Sequence, residues 1–470
     1  MAVTTLPAQA RPARRPDRRH TPHLALAAGL FAAYTLTSVL RYQRYASPSW
    51  DLAIFTQAVK AYAAFGPPIA PIKGDGFNLL GDHFSPVTAT LAPAWWIAPS
   101  AITLLVAQAA LMAWSAGIVS ATAEHLLGRA RGLCTGAAYG LSFGILRAVD
   151  FEFHEIAFAV PLLAMTGRQL ILRRWTRAAW WALPLLLVKE DLGLTVAAIG
   201  LYIALASRHR VLGATLAVLG LAAMTACVWW LIPHYNPDHA YPYWDRIPAG
   251  PWWHTPADAA TRLQTWKTLG WTLGITGLLA ARSPLALVAA PGLLLRLASS
   301  NEGIHGTGAH YSATAMPIMF LAAADAATRL RRSPKIPLRQ IADRAITTLP
   351  AISLALMCAF GYGIADLTRV QAWTGTEVGA ARAAAARMIP DGARVEAGIA
   401  VSPHLAGRAT VYWTGDPHRP VGWIVIDRPE WPEAPADLVG YAAAENGGAR
   451  YQVVSERAGI VVLRLTITNT

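Results

Sequence analysis

Four short segments carry clustered ionisable side chains within an otherwise apolar chain. They are SPSWDLAIFTQAV with Asp51, GDHFSP with Asp82 and His83, DFEFHE from Asp150 to Glu155 with His154, and LLLVKEDLGL with Lys189, Glu190 and Asp191. A carboxylate beside an imidazole suits proton transfer or metal binding. Charged groups at membrane depth are costly and persist mainly where they line a cavity or serve a function. These segments are therefore the first candidates for an active site.

Two of the segments have an equally ordinary structural interpretation. Asp is favoured at the N-cap of a helix, so Asp51 could simply begin one. GDHFSP could be a turn that caps a helix, and a hexapeptide alone is a weak signal. For Asp51 the structural and the catalytic interpretations carry equal weight.

The other two segments differ in how strongly they indicate a site. In DFEFHE, an extended backbone would put Asp150, Glu152 and His154 on one side, whereas a helix would pair Asp150 with His154. Either geometry could hold a divalent cation, and a solvated loop is the alternative. The three charges of Lys-Glu-Asp at 189–191 interrupt a long apolar run, which favours a cavity over a short loop.

Two later segments, at 233–256 and 301–312, combine aromatic residues with further cations. Their Trp and Tyr residues fit a membrane-interface belt, but aromatic faces would also suit sugar recognition. The side chains that could neutralise a phosphate are Arg246, Arg296, His305 and His310.

The composition indicates which elements must position these residues. The chain has 470 residues, of which 54% are hydrophobic and 14% charged, whereas soluble domains carry about 25% charged residues. The net charge of +13 is spread over short basic clusters between apolar runs, as in cytoplasmic loops of membrane proteins. This pattern predicts a multi-pass membrane protein and argues against nucleic acid binding.

Apolar runs predict about eleven spans, of which the fifth is short. They lie near 22–41, 100–126, 132–148, 155–172, 178–188, 190–206, 211–232, 265–281, 284–298, 311–328 and 345–366. With the N-terminus inside, the basic clusters fall in the cytoplasm and the acidic segments outside. An odd number of spans then puts the C-terminal region outside as well.

The predicted organisation has three parts. Residues 1–21 form a basic cytoplasmic tail, and residues 22–366 form a mainly α transmembrane bundle with a long first outer loop at 42–99. Residues 367–470 form a small extracytoplasmic α/β domain, because RVEAGIA, ATVYWTG, VGWIVID and YQVVSERAGIVVLRL read as strands and 376–388 and 434–446 as helices.

Taken in order, these blocks resemble a known bacterial family. SWDLAIFTQAV, LGDHFSPVTATLAPAWWIAPSAITLLVAQA, FEFHEIAFAVPLLA and KEDLGLTVAAIGLYIAL, followed by VSPHLAGRATVYWTG and WIVID, are similar to the predicted membrane-protein family called domain of unknown function 2079. The layout of that family is similar to the GT-C glycosyltransferases. The high Ala, Arg and Gly content is typical of a GC-rich bacterial genome, which implies a bacterial cytoplasmic membrane.

The resemblance to GT-C enzymes implies transfer of a sugar from a polyprenyl-phosphate carrier to a glycan, lipid or protein acceptor on the outer face. In those enzymes an acid in the first outer loop acts as base or metal ligand, and the matching position is Asp51. This chain has a single acid there rather than a tandem Asp-Asp or Asp-Glu pair.

The expected roles follow from this resemblance. Asp51 would be the base, with Asp82 and His83 as further catalytic candidates. The remaining candidates, for substrate binding, are His154, Glu155, Lys189, Glu190, Asp191, Arg246, Arg296 and His310. A possible divalent cation, Mg²⁺ or Mn²⁺, would use Asp51, His154 and Glu155. Two alternatives remain open, a lipid or solute transporter or flippase and a non-catalytic envelope protein.

Overall fold

The computed structural model describes residues 21–246, 262–415 and 420–467. The predicted basic tail lies almost wholly outside the described residues. The helices are α1 (Thr21–Gln43), α2 (Asp51–Ala63), α3 (Ala92–Ile97), α4 (Ala101–Leu127), α5 (Arg129–Gly140), α6 (Phe143–Asp150), α7 (Ala159–Ile171), α8 (Trp175–Ala182), α9 (Leu192–Ala206), α10 (Arg210–Ala226), α11 (Ile232–Tyr235), α12 (Leu263–Gly274), α13 (Ala290–Ala298), α14 (Ala315–Arg331), α15 (Ile336–Phe360), α16 (Glu377–Met388), α17 (Ser402–Ala406) and α18 (Leu438–Glu445). The protein is mainly helical, as the sequence predicts.

Four helices in the described part of the chain are long and apolar enough to cross a bilayer. They are α1, α4, α15 and the continuous helix Arg210–Tyr235, in which a π turn joins α10 to α11. Helices α5 and α6, bent by 41° at their junction, make a fifth candidate. The count of about eleven spans stays a prediction, because other apolar helices such as α9 are shorter. The predicted last span, 345–366, is wrong in its limits, since α15 begins at Ile336 and ends at Phe360.

Helices α9 and α10 pack with their backbones in close contact. Gly193 and Gly200 on α9 face Gly220 and Gly213 on α10. A Cβ added at Gly200 would lie 2.5 Å from the backbone nitrogen of Ala217. Small residues allow such close approach between membrane helices, where dispersion contacts drive association. This pair forms a rigid wall beside the loop that carries Lys189.

The C-terminal region forms a five-stranded mixed sheet. Its strands are β1 (Arg394–Ala397), β2 (Thr410–Trp413), β3 (Trp423–Asp427), β4 (Arg450–Arg457) and β5 (Ile460–Ile467), in the order β2-β1-β3-β5-β4. Strand β1 is parallel to β2 and β3, and β5 is antiparallel to β3 and β4. The predicted strands and the final hairpin are confirmed. Ala458 and Gly459 both have positive φ, as a two-residue hairpin turn requires.

The sheet domain holds α2 in place. The side-chain amide of Gln57 donates to the Val411 carbonyl at 3.0 Å and accepts from the Ile72 amide at 3.1 Å. The His404 ring, on α17, stacks against Tyr42 and Tyr45 with ring centroids 3.9 and 3.5 Å apart. These contacts attach the middle of α2 and the C-terminal end of α1 to the sheet domain.

The close contact of α9 and α10 predicts a specific sensitivity to side-chain size. Gly200→Val should lower the free energy of unfolding by about 3 kcal/mol, because the added methyl groups would meet backbone atoms that cannot move aside. Thermal unfolding in detergent measures the change. The matched control is Gly270→Val on α12, where an added Cβ meets nothing within 4 Å. Equal stability of the two variants would contradict the packing described here.

Candidate active site

A large cavity lies between the membrane helices and the sheet domain, with a volume of about 1550 Å³. All the residues to which the resemblance gave a catalytic, substrate-binding or metal-ligating role line it, whereas His305, Asp150 and Glu152 do not. The charged or imidazole-bearing residues of its wall are Asp51, Lys73, Asp82, His83, His154, Glu155, Lys189, Glu190, Asp191, Arg246, Arg296 and His310. Segments that are far apart in sequence are thus brought to one site.

The rest of the cavity wall is mostly apolar. Helices α2, α7, α9, α10, α12, α13 and α14 all contribute apolar side chains, and Ile399 comes from the sheet domain. The apolar residues from the helices include Met224, Val228, Leu269, Leu293, Leu297 and Ile318. The cavity therefore has both a charged surface and an apolar surface, which suits an amphiphilic ligand.

Asp51, His154 and His310 form the first polar group in the cavity. One potential ligand atom of each lies within 4.8 Å of the others, and the two imidazole rings stack with centroids 3.6 Å apart. The N-cap of α2 is Trp50, so Asp51 is the first helical residue and its side chain does not cap the helix. Burial raises the pKa of the Asp51 carboxyl, although His154 opposes this. A carboxylate with a raised pKa is a stronger base.

Glu155 connects His154 to Lys189. Its carboxylate oxygens lie 2.7 Å from Nδ1 of His154 and 3.2 Å from Nζ of Lys189, and Glu155 itself is fully buried. Burial alone would raise the pKa of Glu155, but the two neighbours hold it well below its usual range. Glu155 thus orients His154 and balances the charge of Lys189, and His310 rather than Glu155 completes the group with Asp51.

A second polar network joins His83 to Glu190. Nδ1 of His83 lies 2.7 Å from the Glu190 carboxylate, which also accepts from the Phe84 amide at 3.2 Å. The Tyr241 hydroxyl donates to the same carboxylate at 3.4 Å. Glu190 follows Lys189 directly in the chain. The network around Glu155 and the network around Glu190 are therefore next to each other.

Asp82 is paired in the same way. Its carboxylate accepts from Nζ of Lys73 at 2.6 Å and from the Tyr243 hydroxyl. The Tyr243 ring stacks on His83, with centroids 4.6 Å apart, and the Arg246 guanidinium lies 4.1 Å from the same ring's centroid.

Sequence reasoning missed Lys73, Tyr241 and Tyr243. The two tyrosines stood in a segment where the aromatic content was the signal, but nothing in the sequence related Lys73 to Asp82.

Arg296 and His305 stabilise the loop between α13 and α14 through hydrogen bonds to its backbone. The Arg296 guanidinium donates to the carbonyls of Ile304 at 2.7 Å, Gly306 at 2.6 Å and Tyr311 at 2.9 Å. Nε2 of His305 lies 2.8 Å from the Ser299 carbonyl. Although Arg296 lines the cavity, its donors are used to hold the loop that carries His310.

Asp150 and Glu152 do not lie with His154 in the cavity, although the sequence analysis grouped the three residues in DFEFHE. Asp150 pairs with Arg41 at 2.7 Å and accepts from the Gly363 amide, while Glu152 is fully buried and accepts from the Ser47 hydroxyl. Both geometries considered for this segment are wrong, because α6 ends at Asp150 and Glu152 has a φ of 72°. This left-handed residue interrupts both a helix and an extended strand.

The family model described as "Predicted membrane protein (DUF2079)" matches residues 41–462. The chain belongs to the DUF2079 family. Among functionally curated proteins, none matches the DUF2079 chain in sequence.

Solved structures show what fold the DUF2079 chain has. A crystal structure of ArnT from Cupriavidus metallidurans bound to undecaprenyl phosphate superposes with a TM-score of 0.55 at 12% identity, covering 96% of this chain and 99% of that one. The apo state of the same protein gives a TM-score of 0.52 at 12% identity, covering 94% and 98%. The DUF2079 chain therefore has a fold similar to that of ArnT.

The ion pair between Glu155 and Lys189 predicts strong coupling between the two. Glu155→Gln should lower the free energy of unfolding by about 3 kcal/mol, because Lys189, whose side chain is 15% exposed, loses its nearest counter-charge. Thermal unfolding in detergent gives the value. The double variant Glu155→Gln, Lys189→Met should recover part of the loss, and additive effects of the two substitutions would contradict the pairing.

Proposed function

We propose that this protein is a GT-C-like glycosyltransferase that moves a sugar from a polyprenyl-phosphate donor to an acceptor hydroxyl on the outer face of the cytoplasmic membrane. The observation that carries the proposal is the cavity of about 1550 Å³, in which Asp51 and its neighbours face an apolar wall of membrane helices. A lipid-linked sugar has the same two-sided character. The ArnT structure, of similar fold, holds undecaprenyl phosphate.

The donor would lie with its tail along α10, α12 and α13 and its phosphate at the charged surface. Arg246 lines the cavity, and its guanidinium makes no ion pair with the described residues. A guanidinium suits a phosphate because it can donate two parallel hydrogen bonds. Lys189 also lines the cavity, but its ammonium group is already paired with Glu155.

Asp51 would act as the general base. As the acceptor oxygen forms a bond to the anomeric carbon, the bond from that carbon to the phosphate oxygen breaks, and polyprenyl phosphate leaves with the electron pair. The acceptor proton passes to the Asp51 carboxylate. Direct displacement of this kind inverts the anomeric configuration. His154, oriented by Glu155, would position the acceptor hydroxyl for Asp51.

Orientation follows from the basic clusters of the sequence. With the N-terminus in the cytoplasm, the loops that carry Asp51, His83 and Lys189 face the outside. The sheet domain would then lie outside as well, where it holds α2 and contributes Ile399 to the cavity. An acceptor would approach from this side.

A divalent cation would be held by Asp51, His154 and His310. Nδ1 of His310 is buried and has no hydrogen-bond partner among the described residues, and His310 itself is 6% exposed. Two imidazoles and one carboxylate match Zn²⁺ better than Mg²⁺, which prefers oxygen ligands. When bound, the cation would supply Lewis acidity at the substrate's oxygen atoms.

The transfer reaction predicts a requirement for Asp51. In membranes that contain equal amounts of each protein, Asp51→Asn should reduce release of labelled sugar from polyprenyl-phosphate donors by about a hundredfold or more, because the amide cannot accept the proton. Activity of the unmodified protein should fall on acidification at a pH above the ordinary Asp pKa of about 4, since burial raises the pKa of Asp51.

The control for this experiment is Asp391→Asn, at an exposed position of the sheet domain. Full activity of Asp51→Asn would move the base to another residue, of which Asp82 is the next candidate. Lipid movement across liposomes without any sugar transfer would favour a transporter.

The cation site predicts that purified protein binds about one Zn²⁺ per chain. Metal content after chelation and reloading, measured by inductively coupled plasma mass spectrometry, should fall in His310→Ala, because one ligand is lost. His209→Ala, in the exposed turn between α9 and α10, is the matched control. Equal metal content in both variants, or none in the unmodified protein, would contradict the site.

A further inference from the structure

We infer that the sugar transferred by this protein is uncharged, with hydroxyl or amide groups rather than a free amine or a carboxylate. The inference rests on the proposed function and deepens it by naming the class of donor. It follows from how the ionisable groups of the cavity wall are paired with one another.

Most of the cavity's carboxylates already have a positive partner. Asp82 is paired with Lys73 at 2.6 Å, Glu190 with His83 at 2.7 Å, and Glu155 with Lys189 at 3.2 Å. The ammonium group of an amino sugar would need a carboxylate to replace its hydration, because an unpaired buried charge is costly. These three acids cannot supply one without losing their own partner.

The two remaining acids do not supply that partner either. Asp51 lies within the group formed with His154 and His310, where the proposed reaction needs its carboxylate for the acceptor proton. Asp191 lies close enough to Lys189 to act, together with Glu155, as a counter-charge of its ammonium group.

The cations of the wall argue against an acidic sugar in the same way. Lys73 and Lys189 are in ion pairs, and Arg296 donates to backbone carbonyls. Among the described lysines and arginines of the cavity, this leaves Arg246 for an added anion. The donor phosphate takes that position, so the carboxylate of a uronic acid would lie in the cavity without a counter-charge.

The polar groups of the cavity wall suit the hydroxyl groups of a neutral sugar. The wall presents hydrogen-bonding groups, namely the carboxylates of Asp82 and Glu190 and the hydroxyls of Tyr241 and Tyr243. The charge of each of these two carboxylates is already neutralised by its own cation. Trp50 and Trp244 also line the cavity, and their side chains are 46% and 41% exposed. Their apolar faces can cover the C–H faces of a sugar ring.

The test compares three donors that differ in one group of the sugar. The full chain is purified into nanodiscs, and a polyprenyl-phosphate hexose, its amino-sugar analogue and its uronic acid analogue compete against labelled polyprenyl phosphate. We expect the neutral donor to bind about tenfold or more tightly than either charged donor. Equal or tighter binding of a charged donor would overturn the inference and leave the proposed function intact.

Two further outcomes separate the claims. If all three donors bind no better than polyprenyl phosphate itself, the cavity does not recognise the sugar and the inference is wrong. If polyprenyl phosphate does not bind at all, the proposed function fails and the inference fails with it.

The substitution Lys73→Met tests the same pairing argument, because it should increase binding of the amino-sugar donor. Lys73→Met leaves the Asp82 carboxylate without its cation, so the amino-sugar donor should gain about tenfold relative to the neutral donor. Lys267→Met, at an exposed position of α12 outside the cavity, is the control. An unchanged ratio of amino-sugar to neutral-donor affinity in a folded Lys73→Met protein would contradict the pairing argument. If this variant does not fold, the comparison of the three donors with the unmodified chain decides alone.

Discussion

Buried charge must be balanced, and the ion pair between Lys189 and Glu155 shows how this chain meets that requirement. The ammonium and the carboxylate lie 3.2 Å apart, and Glu155 is fully buried. Separating such a pair leaves an uncompensated charge at a cost of several kcal/mol. The loop before α7 and the loop before α9 must therefore meet. Since Glu190 follows Lys189 and contacts His83, the loop between α2 and α3 lies at the same point.

This convergence explains why the cavity exists and what it contains. The paired loops hold His154 beside Asp51, while Arg296 holds the loop that brings His310 to them. The sheet domain fixes α2 from the other side through Gln57. Side chains whose positions are set by packing and hydrogen bonds of this kind are preorganised, which is what group transfer requires of its base and of its charged neighbours. The balance of charges that stabilises the fold also leaves few charges for a substrate.

The sequence predicted the class of each element better than the contacts between elements. Apolar runs and strand patterns identified the helices and the sheet, because burial in lipid and alternation along a strand leave direct periodic signals. The same signals led to the cavity residues, since charges such as Lys189 have no place against lipid. They could not show that Lys73 pairs with Asp82, or that Asp150 turns away to Arg41. Both depend on tertiary contacts, and the turn at Asp150 also depends on one left-handed residue, Glu152.

The most direct test of the account is a cryo-electron microscopy structure of the protein in nanodiscs with added polyprenyl phosphate. The account predicts phosphate density within hydrogen-bonding distance of the Arg246 guanidinium, on the same side of the cavity as Asp51, and a tail along α10, α12 and α13. Lipid density on the outer surface of the helices alone, with water filling the charged part of the cavity, would contradict it.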